Sequence, residues 1–226
     1  MMNINSAHAS GDGGAFAVMD CALAAIATGR EAQNLRELRD QLQTIHPGSI
    51  YYHFWGGLLR PRFDDPEYHN DFAIWAINGL RDARLAEKLA VIDPCGYSDL
   101  EEIRQDLIDV IEERLDESEM VPWAKADDKF YFVRSQIVVF DTKNRIEAPK
   151  ELADILPSMS LSSIFYHFID ARRREPVGMD DFRAWLQVNP KEHAPLIRRL
   201  SLIDPFFGNL AELRQQLSKV FHEYYG

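Results

Sequence analysis

Cysteine is nearly absent from this chain of 226 residues: Cys21 and Cys95 are the only two. Two cysteines build no disulfide framework, and these two have no metal-ligand spacing. Reduced thiols are the expectation, and with them a cytoplasmic location. Long apolar runs are missing too. No segment reaches the roughly 20 uninterrupted apolar residues of a membrane-spanning helix. The apolar stretch Ala15–Thr28 is broken by Asp20 and preceded by no Lys or Arg, so it has neither the charged start nor the continuous core of a signal peptide. Positive charge is in deficit, with 25 Lys and Arg against 36 Asp and Glu and a net charge of −11. Nucleic acid and anionic membrane repel such a chain, so neither is an expected partner.

The usual signatures of catalysis are also lacking. There is no Gly-x-Ser-x-Gly elbow, no Walker loop, no dinucleotide Gly-x-Gly-x-x-Gly and no His-Glu-x-x-His. Gly11-Asp12-Gly13-Gly14 lies in a polar terminus and is no phosphate cradle. Neither a cofactor nor a metal is expected.

What the chain does have is a core and a duplication. Its apolar fraction is 46%, ordinary for a globular protein. Ser49-Ile50-Tyr51-Tyr52-His53-Phe54 returns as Ser163-Ile164-Phe165-Tyr166-His167-Phe168. Asp71-Phe72 with Trp75 returns as Asp181-Phe182 with Trp185, and Val91-Ile92-Asp93-Pro94 as Leu202-Ile203-Asp204-Pro205. Glu102-Ile103-Arg104-Gln105 returns as Glu212-Leu213-Arg214-Gln215. One gapless offset carries Phe16–Phe54 onto Phe130–Phe168. Order is kept throughout, the mark of an internal repeat. The copies differ in charge: 9 basic and 16 acidic side chains between Leu35 and Leu115, against 10 and 10 between Pro149 and Gly226. A basic partner would favour the first.

Each copy opens on an expected strand. Phe130–Phe140 is rich in aromatic and β-branched residues. Phe16–Ile26 is alanine-rich and locally helical in preference, yet shares the register and is read as its strand mate. Asn34 with Glu37, Asp99 with Glu102 and Asn209 with Glu212 are helix-capping pairs. Leu100, Ile103, Leu107 and Val110 form an apolar stripe at helical spacing, as do Leu210, Leu213, Leu217 and Val220. A central helix over about Gly48–Leu59 is apolar on most faces, and Leu85–Val91 ends before Asp93-Pro94. The expected fold is mainly α with a small β element: two pseudo-symmetric helical repeats, each led by one strand, with the strands pairing across a pseudo-twofold. The expected divisions are a disordered terminus (1–14), the first repeat (15–115), a charged linker (116–129) and the second repeat (130–226), with both repeats packed as one globular unit.

The candidate chemistry lies in the polar residues common to both copies. His53 with Asp71, and His167 with Asp181, are the candidate catalytic pairs, acting as general base or ligand at a pocket mouth. Tyr52, Tyr166, Trp75 and Trp185 are the candidate ligand-binding residues. Set against this is a structural reading, in which each imidazole is buried and satisfied by its aspartate or a backbone group. A metal at His53, His69 and Asp71 fits no spacing with a known mechanism. Ser49 and Ser163 fall near helix starts and are not exposed nucleophiles. Arg172-Arg173-Arg174 reads as a solvated helix end. Trp123 is the tryptophan expected to meet a partner.

Ser-Ile-[Tyr/Phe]-Tyr-His, then Asp-Phe-x-x-Trp, then Ile-Asp-Pro, in two tandem copies from about Phe16 to the C-terminus, resembles a family of bacterial proteins classed only as a domain of unknown function. The resemblance implies a duplicated protein with no assigned reaction, and adds a hint of sugar metabolism through neighbouring glycosyltransferases. The expected function is that of a non-enzymatic interaction or regulatory protein with a protein partner. The alternative is an enzyme or small-ligand binder using the paired Tyr, His and Asp residues.

Overall fold

The computed structural model describes residues 14–60, 68–97, 99–117, 123–174, 176, 178–206 and 208–226. Apart from Gly14, the terminus expected to be disordered lies outside these, as does part of the expected linker. In chain order the elements are β1 (Phe16–Asn34), α1 (Leu35–Leu42), α2 (Pro47–Trp55), α3 (Asp71–Asn78), α4 (Ala83–Ala90), α5 (Leu100–Asp116), β2 (Lys125–Ile146), α6 (Glu151–Ile155), α7 (Leu161–Ile164), α8 (Asp181–Leu186), α9 (Pro190–Ser201) and α10 (Leu210–Tyr225). A 3-10 turn over Gly56–Leu59 extends α2. A widened π turn over Phe165–Ile169 and a 3-10 turn over Asp170–Arg173 extend α7.

The expectation of a mainly helical fold with a small β element is corrected. Among the described residues helix accounts for 56% and strand for 21%, which makes the fold α+β. The β element is a two-stranded antiparallel sheet of β1 and β2, 19 and 22 residues long. Local preference underestimates it. The run Ala22–Ala27 favours helix by itself, but in the ribbon its backbone groups are paired by the other strand, and pairing overrides a weak propensity. The polar continuations to Asn34 and Ile146 carry no alternating apolar signal, since only Ala32 and Ile146 among their side chains are buried.

The chain divides into two compact units. One comprises residues up to Ala22 together with Val139–Gly226, and the other Leu23–Val138. Each thus contains part of both strands. In the Leu23–Val138 unit the core is Leu38 and Leu42 of α1, Ile50 and Phe54 of α2, Phe72 of α3, Leu107 and Ile111 of α5, and Phe130 and Phe132 of β2. In the other unit it is Phe16 of β1, Ile164 of α7, Phe165, Phe168, Phe182 of α8, Leu196 and Leu200 of α9, and Leu217 and Phe221 of α10. Burial of such side chains contributes about 1.5–3 kcal/mol each.

The capping pairs form. Asn34 Oδ1 accepts the Glu37 amide at 2.8 Å, and Asp99 accepts those of Glu101 and Glu102 at 2.8 and 2.9 Å. Asn209 and Glu212 close a reciprocal capping box. The Glu-Ile-Arg-Gln signature proves to hold a buried arginine. Arg104, 8% exposed, donates to the carbonyls of Leu42 and Ile45 just beyond α1, satisfying acceptors that the end of a helix leaves open. Arg214 donates likewise to the Met159 carbonyl at 2.8 Å.

Both strands carry one residue in the left-handed region, Gly29 at φ 72° and Lys143 at φ 67°. Each follows a threonine whose hydroxyl donates to a backbone carbonyl at 2.5 Å, Thr28 to Phe132 and Thr142 to Val18. A β-carbon at such a φ costs about 1 kcal/mol or more. Gly29→Ala, with open space around the new methyl, should therefore lower the unfolding free energy by ~1 kcal/mol. Lys143→Gly should not lower it. Denaturant midpoints at unchanged m-value check both.

Candidate functional site

α2 is covered on every side: Ser49 through Trp55 are all buried. His53, 3% exposed, lies in its last turn. Asn70 caps α3 by accepting the Ala73 amide at 2.8 Å, which fixes Asp71 as the first helical residue. The Asp71 carboxylate meets His53 Nδ1 at 2.8 Å. On its other side the ring meets β2, where the Val133 amide donates to His53 Nε2 at 3.2 Å. Phe72, Phe130 and Phe132 surround the imidazole, with ring centroids 5.3, 4.7 and 6.1 Å away. Trp75, one turn beyond Asp71, donates to the Asp128 carbonyl at 2.7 Å.

The other unit repeats the contacts with different residues. His167, 1% exposed, holds Asp181 Oδ2 at 2.7 Å through Nδ1 and accepts the Met19 amide at 2.8 Å through Nε2. Phe16 and Phe182 flank the ring at 4.8 and 5.8 Å. Ser163 donates to the Met19 carbonyl at 2.6 Å, and Trp185 donates to the Gly14 carbonyl at 3.0 Å. Ser49, at the matching place on α2, is fully buried and its hydroxyl has no partner among the described residues.

The hydrogen bonds fix the tautomer. A ring nitrogen that accepts a backbone N–H carries no proton, so Nε2 is bare and Nδ1–H donates to the carboxylate. Burial pushes the His53 pKa below its ordinary 6.5, although Asp71 pulls it upward. Both histidines are engaged at both nitrogens. In this arrangement each Nε2 lone pair is taken by a backbone N–H and each Nδ1 proton by a carboxylate. Among the described residues no three His, Cys, Asp or Glu side chains are placed to hold a metal, and His69 is exposed.

Each candidate pair is thus brought together, and each candidate tyrosine flanks its histidine edge-on. Trp75 and Trp185 tie backbone carbonyls, each packed on a phenylalanine. Two arginines that the sequence reading did not place there belong to these sites, and Arg174, read as part of a solvated helix end, is corrected. Arg60 lies over the Tyr52 ring at 4.4 Å, with its guanidinium 4.0 Å from Asp71. Arg174 lies over the Tyr166 ring at 4.1 Å and donates to the Tyr166 hydroxyl and to Asp181 at 3.1 and 3.0 Å. The offset that carries His53 to His167 also carries Arg60 to Arg174, a signal hidden by the run of three arginines. Arg172 of that run lies over Phe168 at 4.5 Å and is not simply a solvated end. Cys21 donates to the Ser162 carbonyl, and burial pushes its thiol up to about 12, so it is no nucleophile at neutral pH.

An α+β chain with a two-stranded ribbon, and with a buried histidine held by an aspartate in each of its two units, defines the structural class. The chain belongs to a family of unknown function, DUF5752, whose profile matches residues 13–222. It is also similar to a solved structure described as the structure of OrfY from Thermoproteus tenax. The TM-score is 0.78 at 27% identity, over 92% of this chain and 94% of that one. No protein of curated function matches.

Removing either ring leaves an unmet strand amide and a void, and takes one hydrogen bond from the aspartate. His53→Ala and His167→Ala should each cost on the order of 2–4 kcal/mol in unfolding free energy, and the Gln variants less. The depressed His53 pKa gives stability a sign with pH. Below 6.5 the unfolded histidine takes up a proton that the folded one refuses, so stability falls as pH drops through that value, by at most ~1.4 kcal/mol per pH unit. Melting curves between pH 7.5 and 5, with His53→Gln as the non-titrating reference, read the effect.

Proposed function

We propose that the protein is a non-enzymatic interaction or regulatory module that acts through a protein partner in the cytoplasm. The observation that carries this reading is the full engagement of both imidazoles. The residues best suited to acid–base chemistry are buried fasteners between a helix and a strand. The cytoplasmic assignment is supported by Cys21, a buried unpaired thiol. The tie to sugar metabolism rests on the family resemblance alone. Trp123 supports a partner-facing role: it is 72% exposed, with the Arg36 guanidinium 5.4 Å from its ring centroid. Aromatic and arginine side chains are enriched at interface centres.

Affinity purification of the intact protein from its host should return the same protein with wild type and His53→Gln, and lose it with Trp123→Ser. The reading fails if no protein is captured while a metabolite raises the melting temperature of the wild type and not of His53→Gln.

A further inference from the structure

The contacts of His53 leave one donor–acceptor arrangement open to the ring. Nε2 faces the Val133 amide, which can only donate. A proton placed on Nε2 sets two donors against each other, and that bond must break. The other face of the ring does not resist. Nδ1–H already donates to Asp71, and a carboxylate favours the charged imidazolium. Among the described residues the charged groups whose fields reach the ring are Asp71 of α3 and Arg60 beyond the 3-10 turn, the second opposing protonation. Tyr52 of α2 stands edge-on, and the β2 residues touching the ring are the uncharged Phe130 and Phe132. A further tie beside the ring joins Ser135 Oγ to the Gly48 carbonyl at 3.3 Å.

We propose that His53 is an acid-released latch: protonation at Nε2 detaches β2 at Val133 from α2 and frees that stretch of strand edge. The step is a plain proton uptake from solvent, with loss of the Val133 N–H···Nε2 bond and retention of the Nδ1–H···Asp71 bond. An edge so released presents an unpaired amide, the feature by which sheets accept a further strand. The device is independent of which partner the protein has.

The test is amide hydrogen exchange of the intact protein followed by NMR from pH 7.5 downward, corrected for intrinsic exchange. Protection at Val133 should fall about tenfold for each pH unit once the ring titrates, while Leu107 in α5 stays protected. The ring nitrogen shift of His53 Nε2 should move from bare to protonated over the same range. His53→Gln, which can donate to Asp71 and accept from Val133 without titrating, should hold Val133 protection level. Constant Val133 protection in the wild type would overturn the latch. So would a loss in step with Leu107, or an equal loss in His53→Gln. Should the variant fail to fold, the wild-type amide and ring profiles decide between them.

Discussion

An imidazole under a strand edge is the contact around which each unit is arranged. An antiparallel ribbon of two strands has outward amides on both edges, and where an edge is buried those amides need acceptors. A carbonyl from a third strand would serve. Here the acceptor is Nε2 of a histidine, and the aspartate at the start of the following helix orients the ring through Nδ1. The choice has consequences. Nε2 must stay bare to accept the amide, and burial of the ring serves that; the aspartate that orients the ring stands at a helix N-terminus, where the dipole favours an anion. The phenylalanines around the ring serve the first need, and the Asn70 cap helps to secure the second.

The same logic explains why these residues look catalytic in one dimension and structural in three. A histidine within reach of an aspartate is the beginning of many active sites, and spacing alone does not distinguish an orienting carboxylate from a fastening one. The difference lies in what the second nitrogen faces. A backbone amide leaves no room for a substrate, whereas a cleft would. No property of Tyr52-His53-Phe54 records that choice, because the amide belongs to Val133, 80 residues away.

Much of the helical part was legible from local chemistry. The caps at Asn34, Asp99 and Asn209, the stripes of α5 and α10 and the burial of α2 follow from residues close in sequence. The strands were only half legible. Aromatic and β-branched residues mark Phe130–Phe140, but Ala22–Ala27 extends only because another strand is there, and exposed polar residues extend both strands without an apolar pattern. The His–Asp pairing was legible as a pairing and not as a role. Arg60 and Arg174 were within reach of the offset; Met19 and Val133 contribute only backbone, which sequence identity does not encode.

The distances along the chain also set an order of events during synthesis. His167 must wait for nothing, since Met19 has been made 148 residues earlier. Met19 is the one kept waiting. At ribosomal rates the interval is on the order of ten seconds, during which Phe16 and its neighbours have left the ribosome without the helices that will enclose them. A lone apolar strand in that position invites capture by another nascent chain. Asp20 and the alanines that follow make this stretch a poor aggregator. The weak strand character of β1 thus suits a segment that emerges long before the helices it will pack against.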